Sequence, residues 1–126
     1  QPDAAVVESV FDNLLQAIRF RFELLSVPSF PAAEILLFWG SLQLRSNGYE
    51  HDVVRYAQSI RTPVLMIHGA NDRRAPVDAA WRVYDNLSGT RQFLLLEHAG
   101  HVNPCIANPK KWRETVRVFI EQQLDP

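Results

Sequence analysis

Cysteine is almost absent from this sequence, charge of one sign never accumulates, and no apolar run is long. With Cys105 as the single cysteine, an internal disulfide framework is excluded, and one thiol fits a reducing compartment such as the cytoplasm. The longest apolar run is ILLFW at 35–39, far short of the ~20 residues that span a bilayer as a helix. A membrane-crossing segment is therefore not expected. Thirteen Lys and Arg face fourteen Asp and Glu, for a net charge of -1. That balance, without single-sign blocks, nominates no nucleic acid and no anionic membrane as a partner. The chain opens QPDAAVVES, with neither a methionine nor a basic and apolar leader, so no targeting segment is visible and localisation is left open.

What the 126 residues do contain is an alternation of short apolar runs and helical periodicity, on the scale of one domain. AAVVE at 4–8 has the make-up of a strand buried on both faces. From 10 to 25, Phe11, Leu14, Leu15, Ile18, Phe22 and Leu25 recur at spacings of three and four, one face of a helix. Pro28 and Pro31 break it, and Pro31 opens a second helix through about Leu44. Its apolar set of Ile35, Leu36, Phe38, Trp39 and Leu42 reads as a helix packed on several sides rather than a wall over a pocket. Gly48 or Asn47 is available for a left-handed cap at its end. A short helix is expected from Asp52, with Val53, Val54, Ala57 and Ile60 inward.

The second half is more regular. PVLMIH at 63–68 reads as a strand ended by Gly69, Pro76 opens a helix, and residues 92–96 form a third strand. A last helix from Pro109 packs Trp112, Val116, Phe119, Ile120 and Leu124, and Trp39, Trp81 and Trp112 read as core. Strands alternating with helices imply an α/β fold with a parallel sheet. Three strands make a narrow sheet, whose apolar edge invites pairing with another chain.

In open α/β sheets the working residues stand at the carboxyl ends of the strands. Asp72 follows the strand ending at His68, and His101 follows the one ending at Leu96. A carboxylate and an imidazole so placed suggest two thirds of a hydrolytic triad, in the order acid then histidine. Asp72 could also serve only to shape its turn, with Asp78 the runner-up acid, and His98 competes with His101. His98, His101 and Cys105 lack a recognised metal-ligand spacing, Cys105 sits on the wrong element for a nucleophile, and His68 reads as structural. Arg73 and Arg74 read as solvated.

These motifs carry a resemblance that covers nearly the whole chain. PVLMIHGAND at 63–72 followed by Pro76 and Val77 resembles the acid-bearing strand and turn of the α/β-hydrolase superfamily, and Gly100-His101 resembles its histidine loop. The esterase and prolyl-oligopeptidase-like serine hydrolases are the most similar branches. The resemblance implies the C-terminal half of one α/β-hydrolase domain: residues 10–60 as a helical cap, and 62–126 as acid strand, histidine loop and last helix. It implies catalytic roles for Asp72 and His101, no cofactor, and an ester, thioester or peptide-like substrate for the intact parent.

The family's nucleophile elbow, G-x-S-x-G, is missing. None of the five glycines, at 40, 48, 69, 89 and 100, flanks a serine in that pattern, and Gly40-Ser41 falls inside a helix. The expectation is a serine-hydrolase piece whose nucleophile lies upstream, inactive by itself. The alternative is a non-catalytic module that pairs through its sheet edge, and a third arrangement is a two-chain enzyme whose partner supplies the elbow.

Overall fold

Side chains of the strand Val64–Gly69 (β2) point alternately to two apolar layers, and every residue of this strand is buried. Val64 and Met66 face one layer with Ala57, Ala80, Val83 and Leu87. Leu65 and Ile67 face the other with Leu94, Leu96, Ala99 and Phe119. A strand covered on both faces needs this continuous apolar run, because neither set of alternating side chains meets water. The computed structural model describes residues 2–124, the side chain of Leu124 excepted, so the packing expected of Leu124 lies outside the described residues.

Strand β2 is flanked by Ala5–Glu8 (β1) and Arg91–Leu96 (β3) in a parallel sheet of order β1-β2-β3. Ala5 pairs with Val64, and Val64 with Arg91. Between β1 and β2 lie the helices Leu14–Leu24 (α1), Ala32–Leu44 (α2) and Val53–Ala57 (α3), with a 3₁₀ turn at Gly48–Glu50. Helix Val77–Asn86 (α4) joins β2 to β3. After β3 come a one-turn helix, Pro104–Ala107 (α5), and the long helix Pro109–Leu124 (α6). Residues of α3 and α4 build the first apolar layer, while Trp112, Val116 and Phe119 of α6 complete the second.

Several expectations change on folding. Strand β1 is not buried on both faces: Val6 and Val7 are each more than a third exposed, because β1 is hydrogen-bonded to β2 alone among the described residues. Helix α1 starts only at Leu14, where the Asn13 side chain accepts from the Gln16 N–H and so caps it. Leu25 and Ile60, read as inward, lie exposed.

The left-handed residue after α2 is Arg45, at φ 50°, not Asn47 or Gly48. Asn47 instead caps the 3₁₀ turn. Gly48 is needed for closeness: a Cβ there would meet Leu37 Cδ1 at 2.6 Å, and its N–H donates to Ser41 Oγ.

Helix α2 is the largest departure. Only Ala33 and Leu37 are buried, whereas Ile35, Leu36, Phe38, Trp39 and Leu42 are each more than half exposed. The helix rests on α1 and the 3₁₀ turn, and its remaining faces stay bare among the described residues. Trp81 is likewise no core residue, being exposed on one side and stacked on Phe93 at 4.1 Å between ring centroids on the other. Trp112 is half-buried, and its Nε1–H donates to Glu8 Oε1 at 2.6 Å.

Candidate active site

The loops leaving β2 and β3 meet backbone to backbone. Ala70 N–H donates to the Leu96 carbonyl at 3.0 Å and Asn71 N–H to the Ala99 carbonyl at 2.9 Å, while the Asn71 side chain reaches the Glu97 carbonyl. Gly69 makes the approach feasible, since a Cβ at that position would lie 2.5 Å from the Ala99 oxygen and 2.6 Å from the Gly100 oxygen. The two loops are thus held as one unit.

That unit carries Asp72 and His101. Asp72 sits in a turn closed by its own N–H on the Gly69 carbonyl at 3.1 Å. Its Oδ1 accepts from the N–H groups of Arg74 and Ala75, both at 2.9 Å, the side-chain-to-backbone pattern that favours aspartate in turns. Its Oδ2 takes the His101 Nδ1 at 2.8 Å. The carboxylate is fully buried, while the His101 side chain is 36% exposed.

A buried carboxylate with one oxygen held by two backbone donors can offer the other to an imidazole. Donation from His101 Nδ1–H leaves Nε2 as the basic nitrogen in the neutral ring, able to take a proton from a neighbouring group. Asp72 thus bonds its own turn with one oxygen and meets His101 with the other.

The remaining candidates separate from this pair. Asp78 is exposed in the first turn of α4, and His98 is exposed on the histidine loop. Cys105 is half-buried in α5, its N–H bonded to Asn103 Oδ1 at 2.9 Å. Arg73 and Arg74 are exposed.

Sequence reasoning did not foresee the cleft at the end of β1 or the place of His68 beside Asp72. Glu8 and Ser9, at the carboxyl end of β1, line a cleft with His101, Val102, Asn103 and Pro104, and Ser9 holds a left-handed backbone at φ 51°. The signal was available, because the parallel arrangement brings all three strand ends to one rim. His68 is also wholly buried beside Asp72, its Nε2 4.0 Å from Oδ2. A polar residue ending an apolar strand just before an acidic turn was the clue.

No protein-family model matches the sequence. An uncharacterised Bacillus subtilis (strain 168) protein, YqkD, is 30% identical over 115 residues, which is 91% of this chain and 37% of the relative. Among solved structures, an esterase of Pyrococcus furiosus superposes with a TM-score of 0.66 at 20% identity, over 94% of this chain and 45% of its own. Acetyl xylan esterase 1 of Thermoanaerobacterium sp. JW/SL YS485 gives 0.61 at 19% identity, over 95% and 38%. The acylaminoacyl peptidase of Pyrococcus horikoshii gives 0.61 at 19%, over 94% and 19%.

The fold is a partial α/β-hydrolase fold. The chain spans less than half of each of these proteins. In this partial α/β-hydrolase fold the acid-bearing turn, the histidine loop and the end of β1 share one rim.

Proposed function

We propose that the chain is the part of a serine hydrolase that carries the acid and the histidine of its triad. The observation behind this reading is the bond from His101 Nδ1 to the buried Oδ2 of Asp72 at 2.8 Å. In the proposed reaction, His101 Nε2 removes the proton of a serine hydroxyl as the oxygen attacks a carbonyl carbon. Asp72 orients the ring and stabilises the imidazolium. The imidazolium then protonates the leaving group, and water releases the acyl group from serine by the same path. An ester, thioester or peptide-like bond is the substrate class, in keeping with the esterases and the peptidase that share the fold.

In this proposal the nucleophile lies on polypeptide outside these 126 residues, since the sequence holds no G-x-S-x-G. Residues 10–60 form the cap, and the missing segment pairs along the open edge of β1. The exposure of Val6 and Val7 on that edge also favours a second reading, a non-catalytic module that pairs there with another chain.

Labelling with a fluorophosphonate tests the choice. The intact protein that contains this chain should be labelled on a serine outside it, and the chain alone should not be. An intact protein that takes no label sinks the serine-hydrolase reading and favours the pairing module.

A further inference from the structure

His68 has no role in the chemistry above, yet it is the one fully buried imidazole described, with no exposed surface. A buried polar ring on a central strand is costly unless its nitrogens are bonded. One of them is: Nε2 lies 2.8 Å from the Ala75 carbonyl oxygen, so Nε2 carries the proton and donates. Nδ1 makes no hydrogen bond among the described residues, which suits the unprotonated nitrogen of the neutral ring better than an N–H.

The Ala75 carbonyl connects this ring to the acid. Ala75 is buried and closes the turn that begins at Asp72. Its N–H donates to Asp72 Oδ1 at 2.9 Å, and its carbonyl accepts from His68. A continuous path therefore runs from the β2 frame through His68 Nε2 to Ala75, through Ala75 N–H to Asp72 Oδ1, and through Asp72 Oδ2 to His101 Nδ1. At 4.0 Å from Oδ2, His68 is too far to compete with His101 for the carboxylate. An apolar side chain of similar size would fill the space and leave the buried Ala75 carbonyl unpaired.

We propose that His68 is a positioning residue for the Asp72–His101 pair, fixing the acidic turn so that Oδ2 stays aimed at the histidine. The inference rests on the triad reading given above.

The test is steady-state ester hydrolysis by the intact protein containing this chain, comparing His68→Met, His68→Gln and His68→Asn. Glutamine places an amide N–H near the position of Nε2, methionine removes the donor, and asparagine keeps an amide too short to reach. Methionine and asparagine should lower kcat by up to about 10²-fold with KM little changed, as misplacement of a reacting group does. Glutamine should recover most of the loss.

Equal activity in the glutamine and asparagine variants overturns the proposal. So does wild-type kcat in a methionine variant that merely melts earlier. If the methionine variant does not fold, the glutamine and asparagine pair still decides. Should Asp72→Asn and His101→Ala themselves leave kcat untouched, the triad reading fails first, and that outcome is distinct from a failure at His68.

Discussion

Gly69 and Ala99 touch so closely that a single added carbon would not fit between them: a Cβ on residue 69 would stand 2.5 Å from the Ala99 carbonyl oxygen. Because the obstacle is backbone, it cannot rotate away. This contact is what lets the acid-bearing loop and the histidine loop act as one rigid unit.

Gly69→Ala should therefore push the two loops apart. We expect a stability loss of about 1–3 kcal/mol, the range for overpacking a filled site, read by chemical denaturation. Fluorophosphonate labelling of the intact protein should slow in the same variant. A change in stability below about 0.5 kcal/mol, typical of an unconstrained surface site, would show that the loops yield freely.

Asp72→Asn preserves the shape of the side chain and its turn but removes the charge and lets an amide N–H face His101. The histidine would then be held in the wrong tautomer. In the intact protein kcat should fall by about four orders of magnitude, as for the corresponding change in a triad, while circular dichroism stays unchanged. Retention of kcat within about tenfold would show that Asp72 is not the carboxylate orienting the general base.

The contact between α1 and α2 carries its own pH dependence. Arg19 donates to Glu34 through Nε at 3.1 Å and through Nη2, and this hydrogen bonding holds the Glu34 carboxyl below its ordinary value of 4.5, burial opposing it. The folded state thus binds the proton less readily than the unfolded one, so stability is greatest above about pH 4.5 and declines as pH falls through the lower folded value. Thermal melts across that window should show a decline that Glu34→Gln reduces. Equal slopes in the two proteins would mean that the pair does not link α1 to α2 energetically, as many partly exposed ion pairs do not.

Much of the second half of the molecule was legible from residue pattern alone. PVLMIH reads as a strand ended by Gly69, and the structure differs there by a single residue at each end. That Asp72 and His101 would be neighbours was legible because parallel strands deliver their following loops to one rim. The first half was less legible. The apolar residues of α2 have no helical stripe, and such a helix reads as buried on all sides. In the folded chain most of that surface is bare, because burial depends on neighbours that a residue pattern does not contain.

The sequence by itself determined the order of elements, the buried central strand, the lack of a G-x-S-x-G motif and the carboxylate and imidazole that follow β2 and β3. These follow from local periodicity, turn chemistry and residue type. Tertiary structure decided the distances. It brought Asp72 Oδ2 within 2.8 Å of His101, set His68 behind the acidic turn and opened the edge of β1. Those outcomes rest on contacts between segments far apart in the chain, such as the close backbone approach of Gly69 to Ala99 and Gly100.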